Sequence, residues 1–481
     1  MCGILGLWRK NERVGEGNFN TMLDTLSSRG PDGKGVKTLA QGQLTLGHTR
    51  LAIIDVSSAA SQPMCNKDES IWLTYNGEIY NFHQLRKDLE DKGYCFKSHS
   101  DSEVIIYAYE EWGEQCLSRL RGIFAFAIWD AKRHSLFLAR DHLGVKPLYY
   151  YIDSNVLIFS SEPRAIIKYD KFDKQLDQDA FSLYLAYGNV PGEYSIYKGI
   201  KKLLPAHSLT FYQGKVAINK FWSAEYNPVI HNPEEAIDKV RHKINESLRL
   251  QSISDVPIGT LLSGGIDSTI ITASLAQSYE NISSFTIGFD EKESDESLYA
   301  RVVSESVGSK HHEQILTYSR ACSLLPGIIS AYDEPFHLNG LFPFLMLSRL
   351  VQSQEYKVVL GGDGADEIFT GYLWYEYFRN QKQTSLGLNY IKSLFSGKKY
   401  YRDPVEAFFN YNGYLSPKHQ QKLLGNSSNN VDPAFVYHIL GKHWLDDLPP
   451  VLAAQFLDLN CFMVDHCLVK VDRASMACGV E

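Results

Sequence analysis

From about Asn232 onward, short strand-like runs alternate with amphipathic helical ones, and this alternation restricts the fold more than any other feature of the sequence. IGTLLS is followed by the helical DSTIITASLAQSY, then by SSFTIGF, ESLYARVVSESV and HHEQILT, and after further helices by KVVLGG. Strands separated by helices of this length imply parallel βαβ units in a doubly wound α/β sheet. The region opens on NPEEAIDKVRHKINESLRL, where an Asn before Pro and acids in the first turn mark a helix start.

The preceding residues follow a different rhythm. CGILGLW, QLTLGH, IWLTYN, IFAFAIW (Ile123 to Trp129), SLFLAR, PLYYY and VLIFS are short apolar runs bounded by Gly, Asp and Asn, which predicts buried or half-buried strands. Amphipathic helices are expected over Phe82 to Lys92 and Ser102 to Trp112. The 481 residues therefore divide into two α/β domains, 1–220 and 234–481, with a linker at 221–233 inside the unpatterned FWSAEYNPVIHNP. GNSSNN (Gly425 to Asn430) reads as a loose polar loop.

A net charge of -8, from 48 Lys plus Arg against 56 Asp plus Glu, offers no basic field for a polyanion, so nucleic acid is not an expected partner. The eight cysteines are scattered, without a CxxC pair or a His grouping at zinc spacing, which fits reduced thiols in a cytoplasmic protein. No run approaches the length of a membrane span, and MCGILGLWRK has no basic residue ahead of its apolar stretch, so neither a membrane partner nor a signal peptide is expected.

Cys2 follows the initiator Met1 and precedes Gly3, a small-residue context that permits removal of the methionine. The freed α-amine, with a pKa of about 7.7, can take the proton of a thiol whose ordinary pKa is about 8.5, so that one residue supplies both nucleophile and base. A thiolate attacking a carboxamide makes an oxyanion that needs fixed donors. Asn76 and the backbone of Gly77, expected at a strand end, are the candidates, and the competing reading of Asn-Gly is a tight hairpin turn. An amino-acid substrate needs a cation for its carboxylate and anions for its ammonium. Arg50, with Glu78 and Asp101, suits those roles, against the alternative of ordinary surface charge.

In the second part, SGGIDS lies between the strand IGTLL and a helix. A Gly-rich turn at that junction lets the backbone approach a phosphate and presents unpaired N–H groups; the alternative is a packing turn. No GK followed by Ser or Thr occurs, so this is not a P-loop for γ-phosphate transfer. GGDGADEIFTGY (Gly361 to Tyr372) follows the strand KVVL and can face the same phosphates, with Asp366 sharing Mg²⁺ with Asp267; a solvated acidic loop is the alternative.

MCGILG, RGPDG, HTRLAIID, NGEIYNF, SDSEVIIYAYEEWG and GIFAFAIWD, in this order, resemble the class II glutamine amidotransferase domain over about residues 2 to 215. The resemblance implies an N-terminal-nucleophile αββα sandwich that hydrolyses glutamine. Cys2 is then the nucleophile, Arg50, Leu51, Ala52, Ile53, Ile54, Asn76, Gly77 and Glu78 form the glutamine pocket, and Asp101 is the ligand of the α-amine. Thr49 departs from the family, where many relatives carry a second Arg. SGGIDS resembles the PP-loop of N-type ATP pyrophosphatases. Together with DEPF (Asp333 to Phe336), GGDGADE and VDRASMA (Val471 to Ala477), the order is similar to the glutamine-hydrolysing asparagine synthetase family throughout. That likeness implies ATP as co-substrate, with Leu262 and Ile287 on adenosine, Ser263, Gly264, Gly265, Asp267 and Ser268 on pyrophosphate, and Gly361, Gly362 and Asp363 on ATP or the adenylate. Asp363 stands where the family often has Glu.

The expected reaction transfers glutamine nitrogen to an aspartyl adenylate, giving asparagine, glutamate, AMP and pyrophosphate. Two other readings stand beside it. HLNGLFPF (His337 to Phe344) differs from the aspartate-user pattern, which allows another carboxylate such as a sugar acid. The relatives' PFLD segment and adenylate lysine do not follow Glu481, and Lys470 does not match that lysine's position, which allows a glutaminase or regulatory protein without synthetase turnover. The implied partners are small molecules, and a homodimer is compatible with the family.

Overall fold

The computed structural model describes residues 2–227, 230, 232–293, 295–337, 340–380, 401, 403–424 and 433–481; the polar loop expected at Gly425 to Asn430 lies outside them. The first 220 residues build two six-stranded antiparallel sheets. One runs in the order β10 (Ile200–Lys202), β8 (Tyr149–Ile152), β9 (Val156–Ser160), β1 (Gly3–Arg9), β3 (Leu44–Arg50), β2 (Gly33–Leu39). The other is ordered β12 (Lys215–Lys220), β11 (His207–Tyr212), β7 (Ser135–Arg140), β6 (Gly122–Asp130), β5 (Ile71–Ile79), β4 (Met64–Cys65).

Alternation in β6 shows how the layers form. Ala125, Ala127 and Trp129 turn toward the facing sheet and pack with Ile4, Leu46 and Phe159. Phe124, Phe126 and Ile128 turn the other way, onto the helices Phe82–Glu90 and Asp101–Trp112 through Leu85, Leu89, Val104 and Ile105. Because both faces of β6 are covered, its sequence reads as a continuous apolar run. Helices Glu16–Asp24 and Pro163–Ile166 cover the outer face of the first sheet through Phe19, Met22, Leu23 and Ala165, which completes an αββα sandwich. The strand β2 leaves no apolar signature in the sequence, because GKGVKTL lies at the sheet edge with exposed residues alternating with half-buried ones.

Beyond Asn232, whose side chain caps the helix Pro233–Gln251 by accepting from the Glu234 N–H at 2.9 Å, the chain forms a parallel sheet. Its order is β15 (Lys310–Leu316), β14 (Ser283–Phe289), β13 (Ile258–Leu261), β16 (Val358–Leu360). The chain winds outward from β13 through β14 to β15 and then returns to the other side of β13. The carboxyl ends of β13 and β16 therefore flank a topological switch point, the place where open α/β sheets take ligands. The helical run Pro450–Met476 is long and apolar enough to cross a bilayer, yet 67% of its apolar window is buried inside the fold, as in a core helix.

The two parts are tightly docked. Leu51 and Ile53, after β3, pack with Val358 and Met476 of the second part in one apolar cluster. Beside it, buried Arg29, Glu162, Asp472 and Arg473 pair across the junction.

Candidate functional site

Two cavities lie on either side of this junction. The first, about 40 Å³, is lined by Cys2, Arg50, Leu51, Ile53, Ile54, Gly77, Glu78 and Asp101 among others. The Cys2 thiol donates to the Leu51 carbonyl at 3.9 Å, and the backbone at Cys2 and Gly3 is held at three points. The Cys2 backbone nitrogen donates to Asn76 Oδ1 at 2.9 Å, its carbonyl accepts from Arg29 Nε at 3.1 Å, and the next N–H, that of Gly3, donates to Thr49 Oγ1 at 3.1 Å. Thr49 thus gains a structural reason: a Cβ at Gly3 would sit 2.6 Å from its hydroxyl oxygen, so the pair is fitted. Burial pushes the Cys2 thiol above its ordinary value, so a nearby base is needed to make thiolate. His48 is not that base. Burial pushes it down to about 3, and its neutral ring serves the Tyr75 carbonyl through Nε2 at 3.0 Å.

Asn76-Gly77 is neither a strand end nor a hairpin turn. It lies within β5, opposite Ala125 and Phe124 of β6. Gly77 is required there, because its φ is +149° and a Cβ would stand 2.0 Å from the Ile123 carbonyl oxygen. Along a strand, successive N–H groups point to opposite edges. Tyr75 N–H donates to Gln62 Oε1 at 2.7 Å and Ile79 N–H to Asp101 Oδ2 at 2.9 Å, so the N–H of Gly77 faces the same, cavity-side edge. Asn76 Nδ2 is buried without a hydrogen-bond partner among the described residues. Two donors therefore await an acceptor next to the thiol.

The ends of this cavity differ in charge. Arg50 donates Nη1 to the Ser57 carbonyl at 2.7 Å and Nη2 to that of Asp55, which fixes the guanidinium at the rim. Opposite, Asp101 is anchored by Tyr75 OH at 2.8 Å at the start of a helix capped by Ser100. Burial pushes its carboxyl up. Burial, then Glu481 and Asp101, push Glu78 well above the ordinary carboxylate range, and Glu78 Oε1 has no hydrogen-bond partner among the described residues. Strained carboxylates of this kind are relieved by a bound ammonium. Ala52 does not line the cavity; its N–H donates to Asp32 Oδ2 at 2.8 Å, holding the loop behind it. Gln62, Ser100, Ser102 and Glu481 also line the cavity; single polar residues in a loop, at a helix cap or in a first helical turn carry no periodic signal that marks them.

The second cavity, about 430 Å³, opens at the switch point. It is lined by Leu262, Ser263, Gly265, Asp267, Ser268, Ile287, Gly362, Asp363 and Asp366, so the two glycine-rich motifs share one wall. Ser268 Oγ accepts from the Ser263 N–H at 3.2 Å and donates to the Gly265 carbonyl at 3.2 Å, which shapes the turn ahead of the helix Ile266–Ala276. A Cβ on Gly362 would lie 3.1 Å from Asp267 Cβ, so the loops touch there. Gly264, expected on pyrophosphate, and Gly361, expected on ATP or the adenylate, are absent from this wall. Gly264 has φ +86° and backs onto Tyr299, where a Cβ would come within 2.6 Å of another Cβ; it is a packing turn. Gly361 sits against Leu261 and Asp363.

Asp366 is pushed above the ordinary range by burial and then by Asp267, Glu367 and Asp363, a crowding that a cation would relieve. Among the described residues no group of three or more His, Cys, Asp or Glu forms a ready-made metal cage. Asp267 and Asp366 suit Mg²⁺, which typically takes one or two carboxylates plus phosphate and water oxygens. Lys470 lines the same cavity, with Nζ 3.7 Å from Asp363 Oδ1 and 5.2 Å from the centre of the Phe344 ring. DEPF and VDRASMA meet at the domain junction: Arg473 pairs with Asp333 at 3.4 Å, and Tyr149 OH donates to Glu334 at 2.9 Å.

A family model for the glutamine amidotransferase domain matches residues 1–222, and one for asparagine synthase matches residues 239–481. The chain is 32% identical to glutamine-hydrolysing asparagine synthetase 3 of Bacillus subtilis, covering 88% of this chain and 71% of that protein. It is 31% identical to asparagine synthetase 1 of the same organism, covering 100% and 78%, respectively. To putative asparagine synthetase 2 of Methanocaldococcus jannaschii it is 35% identical, over 78% of this chain and 76% of that one.

Proposed function

We propose, because this chain belongs to the glutamine-hydrolysing asparagine synthetase family, that it makes asparagine from aspartate, ATP and glutamine. The observation that carries the reading is the arrangement of the two cavities around one junction, with the apolar cluster of Leu51, Ile53, Val358 and Met476 between the two parts. An apolar seam suits the passage of ammonia, which must stay unprotonated to attack an acyl group.

In the first cavity, Met1 is removed and the α-amine of Cys2, oriented by Asn76 Oδ1, takes the thiol proton. The thiolate attacks the glutamine carboxamide carbon, and the oxyanion accepts hydrogen bonds from Asn76 Nδ2 and the Gly77 N–H. The α-amine returns its proton to the leaving nitrogen, ammonia departs, and water hydrolyses the thioester to glutamate. Arg50 holds the substrate carboxylate, while Glu78 and Asp101 hold its ammonium. In the second cavity, Ser263, Gly265 and Ser268 cradle the phosphates, Leu262 and Ile287 flank the adenine, and Gly362 and Asp363 close the opposite side. Asp267 and Asp366 would hold Mg²⁺, which supplies charge neutralisation on the phosphates. All eight cysteines are free thiols, in keeping with a cytoplasmic enzyme.

Pyrophosphate release with ATP, Mg²⁺ and aspartate tests the reading. We expect release that depends on aspartate, with asparagine formed from either glutamine or ammonium. Release with another carboxylate in place of aspartate would reassign the acceptor, and glutamate production without any ATP-dependent pyrophosphate would remove the synthetase half of the proposal.

Glu78 gives a pH prediction. Its raised pKa means that it protonates at a higher pH than an ordinary Glu, near 4.3, and only its charged form binds the ammonium. Glutamine affinity is then full above the raised pKa and lost as the pH falls through it. The KM for glutamate release should rise on acidification while an ordinary carboxylate would still be charged; Glu78→Gln should raise KM at every pH and flatten that limb.

A further inference from the structure

Of the three side chains that hold the backbone at Cys2 and Gly3, only Arg29 hydrogen-bonds into the second part of the chain. Its side chain is fully buried. Nε donates to the Cys2 carbonyl at 3.1 Å, while Nη1 and Nη2 each donate to one oxygen of Asp472 at 2.8 Å. Nη1 also reaches Glu162 at 3.0 Å, but that carboxylate is shared with Arg473 at 2.8 Å and Arg164 at 2.7 Å. Asp472 gives both of its oxygens to Arg29, so it is the group that sets the plane of the guanidinium. A bidentate arginine–carboxylate pair is rigid, and a planar fork fixed at one end fixes the direction of the N–H at the other. The ion pair itself is a poor explanation in terms of stability, since buried pairs often do no better than apolar residues of similar volume.

The carbonyl of Cys2 shares its peptide plane with the Gly3 N–H, which Thr49 holds, and the Cys2 nitrogen is held by Asn76. Fixing that carbonyl therefore fixes the rotation of Cys2 about its own Cα, which decides where the thiol and the α-amine stand relative to each other and to the donors of Asn76 and Gly77. Asp472 lies on the helix Val469–Met476, two residues after Lys470, which lines the second cavity.

We propose that Asp472 is a positioning residue for glutamine hydrolysis, acting through Arg29 on the Cys2 backbone, so that the nucleophile is aligned by a residue of the other domain. The proposal rests on the reading of Cys2 as nucleophile. Kinetics of glutamate release by the full chain test it in Asp472→Asn, Arg29→Lys and the double variant, with Cys2→Ala as control. A misaligned nucleophile costs on the order of 100-fold in rate. We expect each single variant to lose about that much kcat with little change in KM, because the substrate's charged ends are held elsewhere. The double variant should be no slower than the slower single one, because both break the same chain of contacts.

A merely structural role would lower the melting temperature and leave kcat per folded molecule in place, and that result overturns the proposal, as does a multiplicative loss in the double variant or a rise in KM alone. Should Asp472→Asn not fold, Arg29→Lys carries the test, since it keeps a cation opposite Asp472 and removes the Nε donor; an unchanged kcat there overturns the proposal. Glutamate release surviving in Cys2→Ala would instead overturn the reading of Cys2, and the proposal with it.

Discussion

Cys2→Ala should release no measurable glutamate from glutamine, a loss of roughly 10⁴-fold or more, while still making asparagine when ammonium replaces glutamine. In the proposed mechanism the Cys2 sulfur bonds to the substrate, and among the described residues no other group is placed to replace it: His48, pushed down to about 3, serves a backbone carbonyl, and no other cysteine lines the cavity. The substitution removes a single sulfur from a buried position and leaves the backbone contacts to Asn76, Arg29 and Thr49 in place. Product formation from ammonium, measured as asparagine with ATP and aspartate, should therefore persist. Loss of both activities would contradict two separable sites.

Asn76→Asp is the second large effect. The aspartate keeps an oxygen to accept from the Cys2 nitrogen, so the local fold should hold. It replaces the buried Nδ2 donor, which has no hydrogen-bond partner among the described residues, with a negative oxygen facing the position that the proposed mechanism gives the oxyanion. Loss of one such donor typically costs about 10²- to 10³-fold in kcat, or roughly 3 to 4 kcal/mol. Added repulsion from the carboxylate places the expected loss at or beyond the upper end. Steady-state glutamate release would show it as a fall in kcat, with KM far less affected; a change confined to KM would assign Asn76 to binding instead of transition-state stabilisation.

The legible parts of the fold are those where burial writes a pattern. IFAFAIW is apolar throughout because β6 is covered on both faces, and the βα alternation after Asn232 is visible because each strand is short, apolar and followed by a helix. The edge strand β2 was illegible, since its exposed residues need no apolar partner. In the candidate site, Cys2, Arg50, Asn76, Glu78 and Asp101 are legible as chemistry that an amide-bearing amino acid would require, and the structure gathers them around one cavity or, for Asn76, against Cys2. Motif spacing alone could not separate a glycine that lines the second cavity, as Gly265 and Gly362 do, from one that packs, as Gly264 does against Tyr299. Arg29 and Asp472 were hidden for the opposite reason: a charged residue is expected at the surface unless its partner is known, and these partners are 443 residues apart in sequence.

That separation bears on how such a chain can be recombined. The junction is sealed by Arg29 and Glu162 from one side and Asp472 and Arg473 from the other, all buried. A chimera that joins the first 220 residues to the synthase half of a distant relative would bring an arginine or a carboxylate into a dry interface without its counter-charge. Exchange of halves should succeed only when these four positions travel together, so they act as a compatibility code between one protein's nitrogen supply and another's nitrogen use.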